Sequence, residues 1–415
     1  MMNNHVISHL DRRRFLGVAA LTTTLPSFLA RTGLAMQPDD EGTDPFSTWP
    51  NDRVLVVVQL AGGNDGLNTL IPYENDAYYQ ARPKLAIPAS ETLKLNDQLG
   101  LHPRMDDFLH LYDEGGLAIL NNVGYPNPNR SHFRATEIWE TAAPQPGGPT
   151  TGWIGRYFDH ECRGMDSPML GLQIGDRMAQ TFEHPQPRAV TIPHPDLFTW
   201  PDEPTIAQGL RRLNNVQPTT NSTLDFIQRV SNQTLDLSRR IQHALANDSS
   251  SNDYLPFAFQ QALRLVARMI VNRIPTRVYY VSLGGFDTHA NQSIRHAALL
   301  QEVSQGLTAF RNDLLKSGHW DRTLVMTFSE FGRRVAENQS GGTDHGAANT
   351  MFMLGGKIRP GIYGGPPDLE HLDEGDLKHR LDFRSVYATI LRDWLTTDPK
   401  AILGEDQPTL PLLTT

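Results

Sequence analysis

Residues 54–60 read Val-Leu-Val-Val-Val-Gln-Leu and run straight into Ala61-Gly62-Gly63-Asn64-Asp65-Gly66-Leu67-Asn68-Thr69. A continuous β-branched run closed by two glycines is the pattern of a central parallel strand buried on both faces. Working outward, Leu117-Ala118-Ile119-Leu120 reads as a second strand, leading into a Pro/Asn loop at 124–130. A helix is expected from Ser131, a capping residue type, to about Trp139. The strand pattern returns at 277–283, 323–328 and 350–354, with a helix over 293–316 between the first two. Helical stretches at 223–246 and 256–273 are separated by an Asn/Asp/Ser tract. Residues 143–220, rich in Pro, Gly, Thr and His, are expected to form a loop-rich cap insertion. Strands alternating with helices argue an α/β fold, a mostly parallel central sheet flanked by helices.

The chain has 415 residues, with 37 Lys+Arg against 46 Asp+Glu and a formal net charge of −9. That balance argues against nucleic acid as a partner, because its phosphates call for clustered Lys and Arg. Hydrophobic residues at 39% suffice for one large or two modest cores and exclude a disordered tail. A single thiol, Cys162, excludes an internal disulfide and a Cys-rich zinc site.

Residues 1–35 have the layout of an export signal. A polar start ends in Arg12-Arg13-Arg14, an apolar run covers 15–21, and small residues fall near Ala30 and Ala35. Arg12-Arg13-Arg14-Phe15-Leu16-Gly17 resembles the twin-arginine signal, which implies the twin-arginine export machinery as a partner and a periplasmic or otherwise exported location. The rival is a basic anchor helix. Its apolar part is too short and Thr-rich to cross ~30 Å of hydrocarbon, so no stable membrane span is expected. Residues 36–52 read as a linker and 53–415 as the folded domain.

In an open α/β sheet a ligand sits beyond the carboxyl ends of the strands. Four strand patterns end in polar loops there: Gly62–Thr69, Asn129–Phe133, Gly284–His289 and Ser329–Arg334. A fifth loop, Gly341-Gly342-Thr343-Asp344-His345-Gly346, stands just before the last strand. Carboxylates gathered at one spot repel one another unless a cation neutralises them. Carboxylates with two imidazoles suit Zn²⁺, Mn²⁺ or a related divalent ion.

The stretches GGNDGLNT (62–69), NRSHF (129–133), SLGGFDTHANQ (282–292), TFSEFGRR (327–334) and GGTDHGAANTMFMLGG (341–356) resemble the DUF1501 family of exported bacterial proteins, over about residues 53–395. That family is placed in the alkaline phosphatase/sulfatase-like superfamily. The resemblance implies an alkaline phosphatase-like fold, a phosphate or sulfate ester as substrate, and one or two divalent ions (Zn, Mn, Mg or Ca). It also implies a nucleophile at a helix start, which is Ser131 here. Asp65 matches the superfamily's first metal-binding Asp, Asp287 and His289 its paired Asp and His at shorter spacing, and His345 its late metal-binding His. Glu330 retains a carboxylate where the superfamily has Asp-His, and Phe331 replaces the imidazole, with Asp344 as a substitute ligand. Asn68, Arg130 and His132 are expected at the anionic substrate.

Plainer roles stand beside these. Asp65 suits a turn, Ser131 an N-cap, and His289 and His345 a structural Asp–His hydrogen bond. Arg333-Arg334 reads as surface charge or a salt bridge rather than a substrate clamp. The alternative to a hydrolase is a non-catalytic periplasmic binding or assembly protein with a degenerate metal site, which Glu330-Phe331 favours. A dinucleotide site is rejected, because Asp65 would face the pyrophosphate and no strand ending in an acid follows ~20 residues later. Oligomeric state is not legible.

Overall fold

The computed structural model describes residues 51–162, 169–186, 188–193 and 253–414. The expected signal, most of the linker, the helix over 223–246 and the later part of the expected cap lie outside the described residues.

The β-branched run Val54–Leu60 is strand β1, buried at six of its seven positions. The other strands follow as β2 (Leu70–Ile71), β3 (Leu93–Lys94), β4 (Gly100–Leu101), β5 (Ala118–Gly124), β6 (Gly171–Ile174) and β7 (Ala189–Ile192). Then come β8 (Val278–Leu283), β9 (Thr323–Phe328), β10 (Arg333–Glu337), β11 (Thr343–His345), β12 (Asn349–Gly355), β13 (Gly361–Tyr363) and β14 (Leu381–Asp382). Nine of them form one sheet in the order β13-β5-β12-β9-β1-β8-β6-β7, with β14 also on β5. β1 pairs in parallel with β8 on one side and β9 on the other, which is why it carries no polar face. β12 alone runs antiparallel, against both β5 and β9.

Alternate residues of β1 feed two cores. Val54, Val56, Val58 and Leu60 join the helices Asp106–Asp113, Ala258–Val271 and Gln292–Lys316 on one face. Leu55 and Val57 join the helices His132–Thr141, Trp153–Glu161 and Phe383–Thr389 on the other. The two-residue periodicity of the strand thus produces a helix–sheet–helix sandwich. A smaller third cluster, including Leu67, Ile71, Tyr78, Val335 and Leu377, packs separately.

One expectation changes. The described part of 143–220 does not stand apart as loops and short elements. It supplies the helix Trp153–Glu161 and, in β6 and β7, two parallel strands that extend the central sheet from β8. Each strand has only four residues, too few for alternation to emerge above the surrounding Pro and Gly. No helix among the described residues is long and apolar enough to cross a membrane.

Candidate metal centre

Because β12 runs against its neighbours, the residues before it lie at the edge where β1, β8 and β9 end. That brings the loops after β1, β8 and β9 together with β11 and the start of the helix His132–Thr141. Glycine is required for this crowding. Gly62 and Gly63 have φ of +121° and +81°. A Cβ on Gly62 would lie 2.4 Å from the Asp287 nitrogen, and one on Gly63 would lie 2.2 Å from the Phe331 ring.

Three imidazoles converge on Asp287. His289 Nε2 lies 3.0 Å and His345 Nε2 3.2 Å from Asp287 Oδ1, and His132 Nε2 lies 3.5 Å from Oδ2. His132, Asp287 and His345 each bring one ligand atom within 4.8 Å of the others. In each imidazole the opposite nitrogen faces an acceptor. His132 Nδ1 meets the buried Glu330 carboxylate at 2.9 Å, His289 Nδ1 meets Asp344 at 3.1 Å, and His345 Nδ1 meets the Arg130 carbonyl at 2.8 Å. With Nδ1 donating to these acceptors, Nε2 is the nitrogen turned to where an ion would sit, the arrangement that metal-bound histidines adopt.

With their protons on Nδ1, nitrogens so placed would repel. His289 Nε2 and His345 Nε2 stand 2.9 Å apart, with the Asp287 oxygen close to both. Two lone pairs and an anionic oxygen share so small a space only when positive charge, a proton or a metal ion, sits among them. Edges of 2.9–3.2 Å also approach the roughly 3.3 Å between ligands of a tetrahedral ion with ~2.0–2.1 Å bonds. Three imidazoles and a carboxylate fit a zinc-type ion better than Mg²⁺ or Ca²⁺, which take oxygen ligands.

The profile of the family described as "Protein of unknown function (DUF1501)" matches residues 52–408. The chain belongs to the DUF1501 family. No curated protein matches the sequence. Among solved structures, a protein in the alkaline phosphatase superfamily from Vibrio parahaemolyticus is similar at 12% identity, covering 91% of this chain and 78% of that one, with a TM-score of 0.40. A sulfatase from Pseudoalteromonas is similar at 10% identity, with coverages of 84% and 68% and a TM-score of 0.37. A phosphonate monoester hydrolase from Silicibacter pomeroyi follows at 11% identity, with coverages of 86% and 78% and a TM-score of 0.34. Such distant likenesses leave the site's chemistry to be read from the DUF1501 chain's own residues.

Those residues redistribute the expected roles. Asp65 is not among the gathered ligand atoms. It is buried, its Oδ2 is 2.6 Å from Arg82 Nη1 and accepts from Gln292, and Oδ1 has no hydrogen-bond partner. Burial pushes its pKa up, but the Arg82 charge and hydrogen bonds prevail and hold it below the usual carboxylate range. Asn68 is also buried, with Oδ1 accepting from Tyr78 and Arg82 and Nδ2 donating to the Leu85 carbonyl. Its polar atoms are committed to the fold rather than offered to a substrate. In this DUF1501 chain the Arg82 side chain therefore organises the GGNDGLNT loop from within.

His132, expected at the substrate, instead stands among the converging imidazoles. Glu330 and Asp344 fall one step back, each behind a histidine. Glu330 also accepts from the Gly62 amide at 2.8 Å, and its hydrogen bond is the main reason the His132 pKa is raised. Arg130 spends its guanidinium on Asp376, at 2.7 and 2.5 Å. Ser131 is exposed and is the N-cap of its helix, with no side-chain capping bond.

Arg333 is a salt bridge, as one sequence alternative held, but a buried one. Its Nη2 lies 2.7 Å from Asp287 Oδ1, and the remaining donors reach the carbonyls of Gly62, Gly63, Phe286 and Thr343. Burial pushes Asp287 up, but hydrogen bonds from Arg333 and His345 bring it down to about 2. No sequence signal separated Arg333 from Arg334 beside it. The Phe331 ring is buried against His345 and His132, with centroids 4.5 and 4.9 Å apart.

Proposed function

We propose that this DUF1501 protein is a metal-dependent hydrolase of phosphate or sulfate esters, with a zinc-type ion held by His132, Asp287, His289 and His345. The observation that carries the proposal is the set of three Nε2 atoms turned toward one carboxylate, each imidazole backed by an acceptor on Nδ1. A bound divalent ion supplies neutralisation of the ester's anionic oxygens and a lowered pKa for a nearby hydroxyl. The chain's residues do the rest. Arg333 fixes Asp287, while Glu330 and Asp344 orient His132 and His289. Ser131, whose hydroxyl makes no capping bond and whose backbone adjoins His132, is the nucleophile. The helix N-terminus behind it favours an anionic ester. Export through the twin-arginine route belongs to the same proposal and rests on Arg12-Arg13-Arg14-Phe15-Leu16.

The test compares wild type, His345→Ala and Ser131→Ala for bound metal and for turnover of aryl phosphate and aryl sulfate esters. Both variants should lose turnover, and only His345→Ala should lose metal. Full metal content in His345→Ala would sink the metal assignment, and unchanged turnover in Ser131→Ala the nucleophile.

A second reading, a non-catalytic binding or assembly protein, is favoured by Phe331, a hydrocarbon ring set directly against two of the imidazoles. Metal-loaded protein that binds anionic esters without cleaving any of them would establish it.

A further inference from the structure

Strand β1 is buried at six of its seven positions and β8 at five of its six, and the two exceptions, Gln59 and Ser282, are partners in register. Central strands of a sheet covered on both faces rarely show side chains to solvent. Ser282 is nevertheless exposed and Gln59 half-buried, so the helical layer stops short over the carboxyl ends of these two strands. The opening lies on the face of Leu55, Val57 and Tyr280, the side covered by the helix His132–Thr141.

That helix turns a polar stripe toward the opening. His132, Thr136 and Glu140 are spaced four apart and share one side of the helix. His132 joins the metal centre at one end, and Glu140 Oε1 lies 3.0 Å from the Tyr280 hydroxyl at the other. The same hydroxyl is 3.0 Å from Gln59 Oε1, which accepts from Ser282 Oγ at 3.2 Å. Thr136, midway along the stripe, is half-buried. Among the described residues, Gln59 Nε2 and Thr136 Oγ1 have no hydrogen-bond partner. The opening continues to the centre. Gly284 and Gly285 are exposed between Ser282 and Asp287, and a Cβ on Gly284 would meet nothing within 4 Å. Along β1, Gln59 stands three residues before Gly62, whose amide donates to Glu330, the carboxylate behind His132. The helix from His132 to Glu140 spans about 12 Å, room for an ester head and one sugar-sized ring.

The accessible groups of this groove are one amide and two hydroxyls, and none carries a charge. An ammonium or a carboxylate would find no countercharge among them. A hydrocarbon would leave the amide and the hydroxyls desolvated and unpaired. Alcohol groups both donate and accept, and so match all three. We propose that the groove between Gln59, Thr136 and Ser282 is a binding subsite for the alcohol portion of the ester, a sugar or another polyol, with the anionic head at the metal centre. The position of the head rests on the hydrolase proposal, but the recognition of hydroxyl groups beside the centre does not.

The experiment titrates zinc-loaded full-length protein calorimetrically with the 6-sulfates and 6-phosphates of glucose and galactose, and with hexyl sulfate and hexyl phosphate. Turnover of each is followed by release of sulfate or phosphate. At least one hexose ester should bind about tenfold or more tighter than the hexyl ester with the same head. Ser282→Ala, Thr136→Val and Gln59→Leu should each reduce that ratio by about threefold or more, with zinc content as in wild type by elemental mass spectrometry. Ser282→Ala and Thr136→Val, conservative changes at accessible positions, carry the test if Gln59→Leu does not fold. Equal or tighter binding of the hexyl esters, which the exposed Phe133 ring next to His132 would favour, overturns the subsite. A hexose preference that survives the substitutions, or no binding of any ester, overturns it too. Hexose selectivity without turnover upholds the subsite and removes the hydrolase proposal, whereas indiscriminate turnover of hexose and hexyl esters removes the subsite and leaves the hydrolase standing.

Discussion

Asp65 and Arg82 share one buried ion pair, with side chains 1% and 0% exposed. Removing one partner of such a pair strands the other charge in a low-dielectric site, at a cost of about 3–5 kcal/mol. Asp65→Ala should therefore lower the free energy of unfolding by that order while leaving the metal stoichiometry unchanged, which calorimetry and elemental analysis check together. Asp344 behaves in the opposite way. It is half-exposed and contributes little to the core, yet it orients His289 together with Asn338. Asp344→Ala should leave stability nearly intact and weaken metal affinity by roughly 10–100-fold, the usual cost of losing a carboxylate behind a ligating histidine. The sequence exposed Asp287, His289 and His345 because Gly-flanked polar residues at strand ends have few other uses. It misplaced Asp65 because the charge that claims it is Arg82, across a helix and a turn with no motif of its own.

At the scale of elements, the helix His132–Thr141 links the centre to the core. Its first residue faces Asp287, and Glu140 near its other end is buried against Tyr280. The Tyr280 hydroxyl lies 3.0 Å from both Gln59 Oε1 and Glu140 Oε1. Burial pushes the Glu140 carboxyl from 4.5 to about 7, against the hydrogen bonds from Tyr280 and the Gln180 amide. A carboxyl raised in the folded state stabilises fully below its unfolded value and loses that contribution as pH rises through the folded one. Stability should thus fall by about 3 kcal/mol between roughly pH 4.5 and 7 on account of this group. Denaturant titrations across that range should show the slope in wild type and a flatter profile in Glu140→Gln. The long strands β1, β8 and β9 were legible because each is a run of buried apolar residues. The four-residue β6 and β7 were not, and no periodicity reveals that β12 points the other way.

For the whole molecule, an ion bound by the folded state alone stabilises it by mass action, about 2.7 kcal/mol at a hundredfold excess over Kd. Chelation should lower the melting temperature and zinc should restore it, and a midpoint indifferent to chelator would count against the centre. The sheet order has a kinetic consequence as well. β5 and β12, remote in sequence, lie side by side, and the late strand β9 sits between β12 and β1. His132, Asp287 and His345 consequently meet only after the chain's distant parts have interleaved. Contacts of such long sequence separation form slowly. On the proposed metal assignment the ion would act as a clock for assembly: during refolding, tight zinc capture should arrive with the last phase, well after helical signal has returned.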